Sequence, residues 1–136
     1  GDESRVHFSD TEGNIPSAEE LQNLGIKLFV GVGHETTGAT TYSEQDVRNL
    51  LNWIDSDPTN HHAVIDATST LGAMPWPEDL VQQVVSKCCL FMPFQKAIGG
   101  TAGYFIVSFT PQALELVETN VNSPSWAIPR QLKLAL

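Results

Sequence analysis

The sequence predicts an α/β protein with a doubly wound, mostly parallel sheet whose last strand is antiparallel. Short apolar runs alternate along the chain with segments of helical spacing, which is the order of strands and helices in such folds. The run at residues 26–32 is almost unbroken, so we expect a strand covered on both faces. The last connection, residues 95–103, is too short and glycine-rich for a helical crossover, so the final strand is expected to run antiparallel.

Four segments carry the signals of helices. Ser17 has the spacing of a capping box at the start of the first helix. Ser43 is predicted to cap the second helix, which has apolar side chains three, four and seven residues apart and stops before Pro58. The same periodicity predicts a third helix over residues 78–87, and a proline in a favoured first-turn position predicts a fourth over residues 111–118.

Apolar and β-branched runs between these helices predict the strands. The predicted strands are residues 5–8, 26–32, 63–66, 88–92 and 104–109. A chain of 136 residues is long enough for one compact domain with a usable core. From residue 120 onward, prolines and a tryptophan predict an extended tail.

Charge and cysteine content exclude several classes of protein. The formal charge of −9 would repel a nucleic-acid backbone or an anionic membrane surface over most of the protein, so neither is an expected partner. No apolar stretch is long enough to cross a bilayer. The only two cysteines, Cys88 and Cys89, are adjacent and poorly placed to bridge each other, which makes a reducing cytoplasm the expected compartment.

Polar clusters follow three of the predicted strands, where ligands bind in open parallel sheets. They are residues 33–38, 66–70 and 94–103. The segment that begins with the first cluster nearly matches the sequence motif of a phosphate-binding P-loop, but Ala39 stands where that motif needs a lysine. The pair Gly31 and Gly33 begins a dinucleotide fingerprint that continues to Thr36 where a glycine is required. Both nucleotide hypotheses are therefore disfavoured.

Two further pairs of side chains have simpler interpretations than chemistry. His61 and His62 have no second pair of ligands at metal spacing, so we expect a solvated turn and no metal site. Cys88 and Cys89 lie inside an apolar run, which indicates core residues and not nucleophiles.

Three short segments in or next to the polar clusters resemble segments of a known family. They are HETTG at residues 34–38, IDATS at 65–69 and QKAIGG at 95–100. In this order they resemble segments of the large domain of class-V aminotransferases, which depend on pyridoxal 5′-phosphate (PLP), and specifically of phosphoserine aminotransferases. The stretch SPSWAIP at 123–129 is also similar to a Pro-x-Trp-x-x-Pro stretch in one branch of that family.

The resemblance implies a role for five residues. Lys96 would hold PLP covalently and move a proton during the reaction. Asp66 would face the nitrogen of the PLP ring, because a carboxylate there keeps the nitrogen protonated and makes the ring a better electron sink. Thr36 would donate a hydrogen bond to the 3′ oxygen of the ring, while Gln95 and Ser69 would help to fix the phosphate or the surroundings of the ring.

Each of these residues also has a purely structural interpretation. Asp66 could cap a helix or a turn, Lys96 could be a solvated loop lysine, and Thr36 and residues 68–70 could satisfy loop backbone groups. His34 stands where the family has asparagine, so we expect it at the edge of the pocket and not in catalysis. The ordered combination of residues favours the functional interpretation.

The resemblance also sets the expected organisation and function. Residues 1–119 would be part of a fold type I large domain that binds PLP, and residues 120–136 a tail leading toward a C-terminal domain. The chain would be a fragment of a cytoplasmic, homodimeric enzyme of serine biosynthesis that transfers an amino group between O-phosphoserine and 2-oxoglutarate. The isolated chain is expected to be inactive and need not contain bound PLP. The alternatives are a non-catalytic α/β binding or assembly module, and another class-V PLP enzyme.

Overall fold

The computed structural model describes residue 7 and residues 13–70, 76–96 and 98–120. Apart from His7, the predicted strand at residues 5–8 lies outside the described residues, and so does the predicted tail from residue 121 onward. The helices are α1 (Ala18–Asn23), α2 (Glu44–Ser56), α3 (Glu78–Lys87) and α4 (Pro111–Asn120). The strands are β1 (Leu28–Val32), β2 (His34–Glu35), β3 (Thr40–Thr41), β4 (His62–Asp66), β5 (Cys89–Pro93) and β6 (Phe105–Ser108).

Four of the strands form one mixed sheet in the order β1-β4-β5-β6. β1, β4 and β5 are parallel, and β6 is antiparallel to β5. This arrangement confirms the predicted α/β class, the mostly parallel sheet and the antiparallel last strand. The short antiparallel hairpin of β2 and β3 was not predicted, because each of its strands has only two residues and shows no periodicity.

Both predicted serine caps are present. The side chain of Ser17 accepts a hydrogen bond from the amide of Glu20, whose carboxylate in turn accepts one from the amide of Ser17. Ser43 and Asp46 make the same reciprocal pair at the start of α2. Each box satisfies amide groups that the first turn of a helix leaves without a partner, which explains why the two helices begin where the sequence predicts.

The hydrophobic core lies between one face of the sheet and the helices α2 and α3. Trp53 is the largest fully buried side chain of α2, and Leu80 is its buried counterpart on α3. Ile65 and Leu90, paired in register on β4 and β5, supply the sheet side of the same core. Lys87 also ties α3 to Asp55 of α2 through an ion pair of 2.7 Å.

The opposite face of the sheet carries exposed apolar side chains. On β1, Leu28, Val30 and Val32 are 55%, 70% and 45% exposed, and Phe105 and Val107 of β6 lie on the same face by strand register. We call this side of the sheet the open face. The expectation that the first strand is covered on both faces is therefore wrong for the described residues.

The open face follows from the order of the strands. Each step from β1 to β4 to β5 advances in the same direction across the sheet. Right-handed crossovers made in one direction place their helices on the same face, here α2 and α3. A doubly wound sheet acquires its second helical layer where the direction reverses, and the four described strands contain no reversal.

His61 is not part of a solvated turn, so that prediction is wrong. The side chain is 7% exposed and its ring stacks on Trp53, with 4.4 Å between centroids and 12° between planes. Its Nδ1 lies 2.7 Å from the carbonyl oxygen of Trp53, which fits an N–H donor at that nitrogen. Burial and stacking on a core tryptophan could not be deduced from two adjacent histidines before a strand.

The two cysteines are core residues, as the sequence predicts. Cys88 and Cys89 are free thiols that are 1% and 5% exposed. Burial raises the pKa of the Cys88 thiol to about 12, so it stays protonated near neutral pH. We expect a thiol reagent such as DTNB to label neither cysteine in the native protein and both in denaturant. Rapid stoichiometric labelling without denaturant would contradict this burial.

Candidate functional site

A cleft of about 610 Å³ lies at the carboxyl ends of β1, β4 and β5. Three parts of the chain line it: the β2–β3 hairpin, the segment that follows β4, and the loop between β5 and β6. All five residues singled out in the sequence border this cleft, namely Thr36, Asp66, Ser69, Gln95 and Lys96. Segments that are far apart in the chain thus meet because parallel strands end on the same edge of the sheet.

Asp66 ends β4 and borders the cleft. Its Oδ1 accepts hydrogen bonds from the backbone amide of Thr68, at 2.8 Å, and from the hydroxyl of Thr68. Asp66 therefore does hold the turn that follows its strand, which was one of its two interpretations. Among the described residues no donor reaches the second oxygen, Oδ2, so half of the carboxylate remains available for a ligand.

The β2–β3 hairpin forms one side of the cleft with four consecutive residues, His34 to Thr37. Glu35 Oε1 accepts a hydrogen bond of 2.8 Å from the amide of Thr37, which fixes the turn. The hydroxyl of Thr36 has no hydrogen-bond partner among the described residues, and the side chain is exposed. His34 also lines the cleft, and its Nδ1 is hydrogen-bonded to the hydroxyl of Thr41.

Lys96 lies in the loop that joins β5 to β6, and backbone hydrogen bonds shape that loop. The amide of Phe94 donates to the carbonyl of Tyr104 at 3.1 Å, and the carbonyl of Phe94 accepts from Gly100 at 2.7 Å. The carbonyl of Lys96 accepts from Gly99, which has a φ of +68° that favours glycine. The exposed Lys96 amine donates no hydrogen bond within the described part of the chain.

Gln95 and Ser69 also border the cleft but are less well fixed. Gln95 is exposed and Ser69 is half-buried. Neither side chain has a hydrogen-bond partner in the described segments, so both polar groups are free to contact a ligand.

Charges of both signs meet in the cleft. Glu35 and Asp66 bring carboxylates, and Lys96 is the cationic amine beside them. Hydrogen bonds from Thr37 hold the pKa of Glu35 below its usual range, with smaller contributions from the charges of Lys96 and His34. The cleft thus has a carboxylate that stays ionised beside the lysine. Within the described ranges, no three His, Cys, Asp or Glu side chains are grouped as metal ligands.

Aromatic side chains form the apolar wall of the cleft, and the sequence did not reveal them. Phe91 and Phe105 are neighbours on β5 and β6, with ring centroids 5.3 Å apart and ring planes tilted by 46°. Both border the cleft, and so does Tyr104. A phenylalanine within a strand usually indicates core. Only the position of these rings on the open face shows that a ligand could reach them.

Close packing explains the glycines that resemble nucleotide motifs. A Cβ on Gly31 would lie 2.5 Å from the hydroxyl oxygen of Tyr42. A Cβ on Gly33 would lie 3.1 Å from Oγ1 of the buried Thr70. Ala39, at the position of the P-loop lysine, has a φ of +52° in the hairpin turn. The glycines therefore leave room for neighbouring side chains. This role supports the earlier conclusion that neither nucleotide motif is present.

None of the described helices is long and apolar enough to span a bilayer.

Comparison with known proteins gives one informative match, to a solved structure. The chain is similar to the crystal structure of a phosphoserine aminotransferase from Cytophaga hutchinsonii, with a TM-score of 0.51 and 17% sequence identity. The match covers 85% of this chain and 27% of that protein, so this chain spans about a quarter of its length. No family model and no curated protein sequence matches the chain. The fold of this chain therefore resembles part of the fold of that protein.

Proposed function

We propose that the cleft is the lysine-bearing part of a PLP site, and that the chain functions as part of an aminotransferase resembling phosphoserine aminotransferase. One observation carries this proposal. Lys96, Asp66 and Thr36 come from three separate segments, and all three border a single cleft at the carboxyl ends of the sheet. The similarity of the fold to a phosphoserine aminotransferase supports the same proposal.

The groups in the cleft suit the cofactor. Lys96 offers an exposed amine for covalent attachment to an aldehyde, and Oδ2 of Asp66 has no competing donor among the described residues. A volume of about 610 Å³ lies in the usual range for sites of small ligands. When bound, PLP would supply an electron sink for reactions at the α-carbon of an amino acid.

Each of the five cleft residues would have its own role toward the cofactor. Asp66 would hold a proton on the ring nitrogen while its other oxygen keeps the Thr68 turn in place. Lys96 would be the covalent anchor and would carry a proton to and from the substrate carbon. Thr36 would donate its free hydroxyl to the ring oxygen, and Gln95 and Ser69 would help to hold the phosphate.

The proposed substrates are those of the family, O-phosphoserine and 2-oxoglutarate. Both are strongly anionic, whereas Lys96 is the only lysine or arginine among the described residues that line the cleft. The chain alone would therefore bind such substrates poorly, and we propose that it is inactive by itself. The full enzyme is proposed to be cytoplasmic and homo-oligomeric, with no nucleic-acid or membrane partner. Another class-V PLP enzyme is the alternative within the family.

A non-catalytic assembly module is the second candidate function. The open face favours it, because Leu28, Val30 and Phe105 are each more than half exposed. Exposed apolar surface of this kind commonly marks a contact with another protein. In this alternative the cleft would be a remnant, and Lys96 would react with PLP no faster than any other surface lysine.

Addition of PLP to the purified chain tests the proposal. We expect a new long-wavelength absorption band, and we expect borohydride reduction followed by peptide mapping to place the added mass on Lys96. The band should be absent in Lys96→Ala and in Lys96→Arg, which keeps the charge but not the reactive amine. Lys27→Ala is the matched control, because Lys27 is also exposed but does not border the cleft.

Two results would count against this assignment. A band of unchanged strength in Lys96→Ala would exclude Lys96 as the anchor. Equal labelling of Lys27 and Lys96 would favour the non-catalytic module. Separately, measurable turnover of O-phosphoserine with 2-oxoglutarate by the isolated chain would show that the proposed inactivity is wrong.

A further inference from the structure

The position of Asp66 on the open face defines the surroundings of its carboxylate. Strand register places Val32, Asp66, Phe91 and Val107 in one row across β1, β4, β5 and β6. Residues paired in this way point to the same side of a sheet. The carboxylate therefore lies between apolar neighbours, with Val32 on one side and Phe91 on the other.

This combination suits a flat ring with a charged edge. A protonated ring nitrogen would face Asp66, while the apolar faces of the ring would need contacts of their own. The described residues offer two phenylalanines for such a contact, Phe91 and Phe105. Aromatic rings prefer offset or tilted contacts at centroid distances of about 4.5–7 Å.

The two phenylalanines differ in how much free surface they offer. Phe91 is half-buried and lies against Phe105 at 5.3 Å, so it supports the neighbouring ring. Phe105 also borders the cleft and, at 56% exposed, has the larger free surface of the two. Phe105 is also paired with Pro93 across the β5–β6 ladder, which holds its backbone in place beside the Lys96 loop.

We infer that Phe105 is the ring-contacting residue of this cleft, packing against a face of the cofactor ring while Asp66 meets the ring nitrogen. This inference rests on the proposed function. It assigns to β6 a cofactor contact that none of the three resemblance segments contains, since those segments end at residue 100.

Tyr104 is the competing aromatic residue. It borders the cleft and is 68% exposed, but it precedes β6 and follows Gly103, whose φ is +98°. The carbonyl of Tyr104 accepts a hydrogen bond from Phe94, but its ring has no aromatic contact among the described residues, whereas Phe91 supports the ring of Phe105. A side chain fixed before the ligand arrives loses less conformational freedom on binding, so Phe105 is the better contact.

Pyridoxamine phosphate is the probe that tests this inference, because it has an amine in place of the aldehyde and cannot react with Lys96. Its dissociation constant would be measured by calorimetric titration for the native sequence and for five variants, one of which is Tyr104→Ala. Phe105→Ala should weaken binding about tenfold through loss of the ring contact, whereas Phe105→Tyr should stay within about twofold of the native value.

Ile106→Ala is the matched control, since Ile106 is 50% exposed on the same strand but pairs with Met92 on the opposite face. Should Phe105→Ala unfold, Phe105→Leu keeps apolar bulk on β6 and should still weaken binding.

The outcomes separate this inference from the proposed function. If the native sequence binds pyridoxamine phosphate but Phe105→Ala and Ile106→Ala bind equally well, the assignment of Phe105 is overturned while the PLP site stands. If Tyr104→Ala weakens binding while Phe105→Leu binds as well as the native sequence, the assignment of Phe105 is overturned in favour of Tyr104. If neither PLP nor pyridoxamine phosphate binds the native sequence, the proposed function itself fails and the role of Phe105 falls with it.

Discussion

Replacement of Trp53 by alanine is expected to lower the free energy of unfolding by about 3–5 kcal/mol, the usual cost of removing a large buried aromatic side chain. Trp53 is fully buried in the core between the sheet and the helices α2 and α3, and His61 stacks on its ring. Because small domains are stable by only about 5–15 kcal/mol, this variant should be largely unfolded at moderate denaturant concentrations. Urea unfolding followed by circular dichroism measures the change.

Two variants serve as controls for Trp53→Ala. Trp53→Phe keeps an aromatic ring and removes the indole N–H, which has no partner among the described residues. It should cost about 1 kcal/mol, because a smaller cavity remains. Val30→Ala removes a side chain that is 70% exposed on the open face, and it should change stability by less than about 0.5 kcal/mol. A loss of several kcal/mol in Val30→Ala would contradict the exposure of that face.

The two interpretations of Asp66, turn cap and cofactor ligand, are separable by two substitutions. Asp66→Ala removes the acceptor that binds the amide and hydroxyl of Thr68, so it should lower the free energy of unfolding by about 1–2 kcal/mol and also abolish specific PLP binding. Asp66→Asn keeps an oxygen acceptor for the turn but removes the charge. It should stay within about 0.5 kcal/mol of native stability while binding pyridoxamine phosphate at least about tenfold more weakly.

The measurements are urea unfolding and calorimetric titration on the same protein preparations. Asp66→Asn with native affinity would show that the charge of Asp66 contributes nothing to the ring contact. That result would leave Asp66 with a purely structural role, as a cap of the Thr68 turn. A strongly destabilised Asp66→Asn would instead show that the turn needs a charged acceptor.

The sequence predicted the helices and the parallel strands because their signals are local. Ser17 and Ser43 are read within a single turn of helix, and the apolar spacing of α2 is visible without any tertiary contact. The antiparallel direction of β6 was likewise predictable from the shortness of its connection. Local chemistry therefore accounts for most of the fold that positions the cleft.

The residues around the cleft were predictable to a smaller extent. Thr36, Asp66 and Lys96 were found because polar residues after parallel strands converge on one edge of the sheet, and because the segments that contain them resemble a known family. Phe91, Phe105 and the buried stack of His61 were not found, because each depends on which face of an element is covered. The direction in which successive strands are added to the sheet has no local signature in the sequence, and that direction determines the covered face.

The cleft and the hydrophobic core have no side chain in common among the described residues. The core uses the helix-covered face of the sheet, whereas the cleft uses the strand ends, two loops and the open face. Substitutions at the hairpin or at β6 that change which ligand is bound can therefore accumulate without disturbing the packing of the core. Such a division lets one scaffold acquire new ligands through changes at the hairpin and at β6, away from the side chains that form the core.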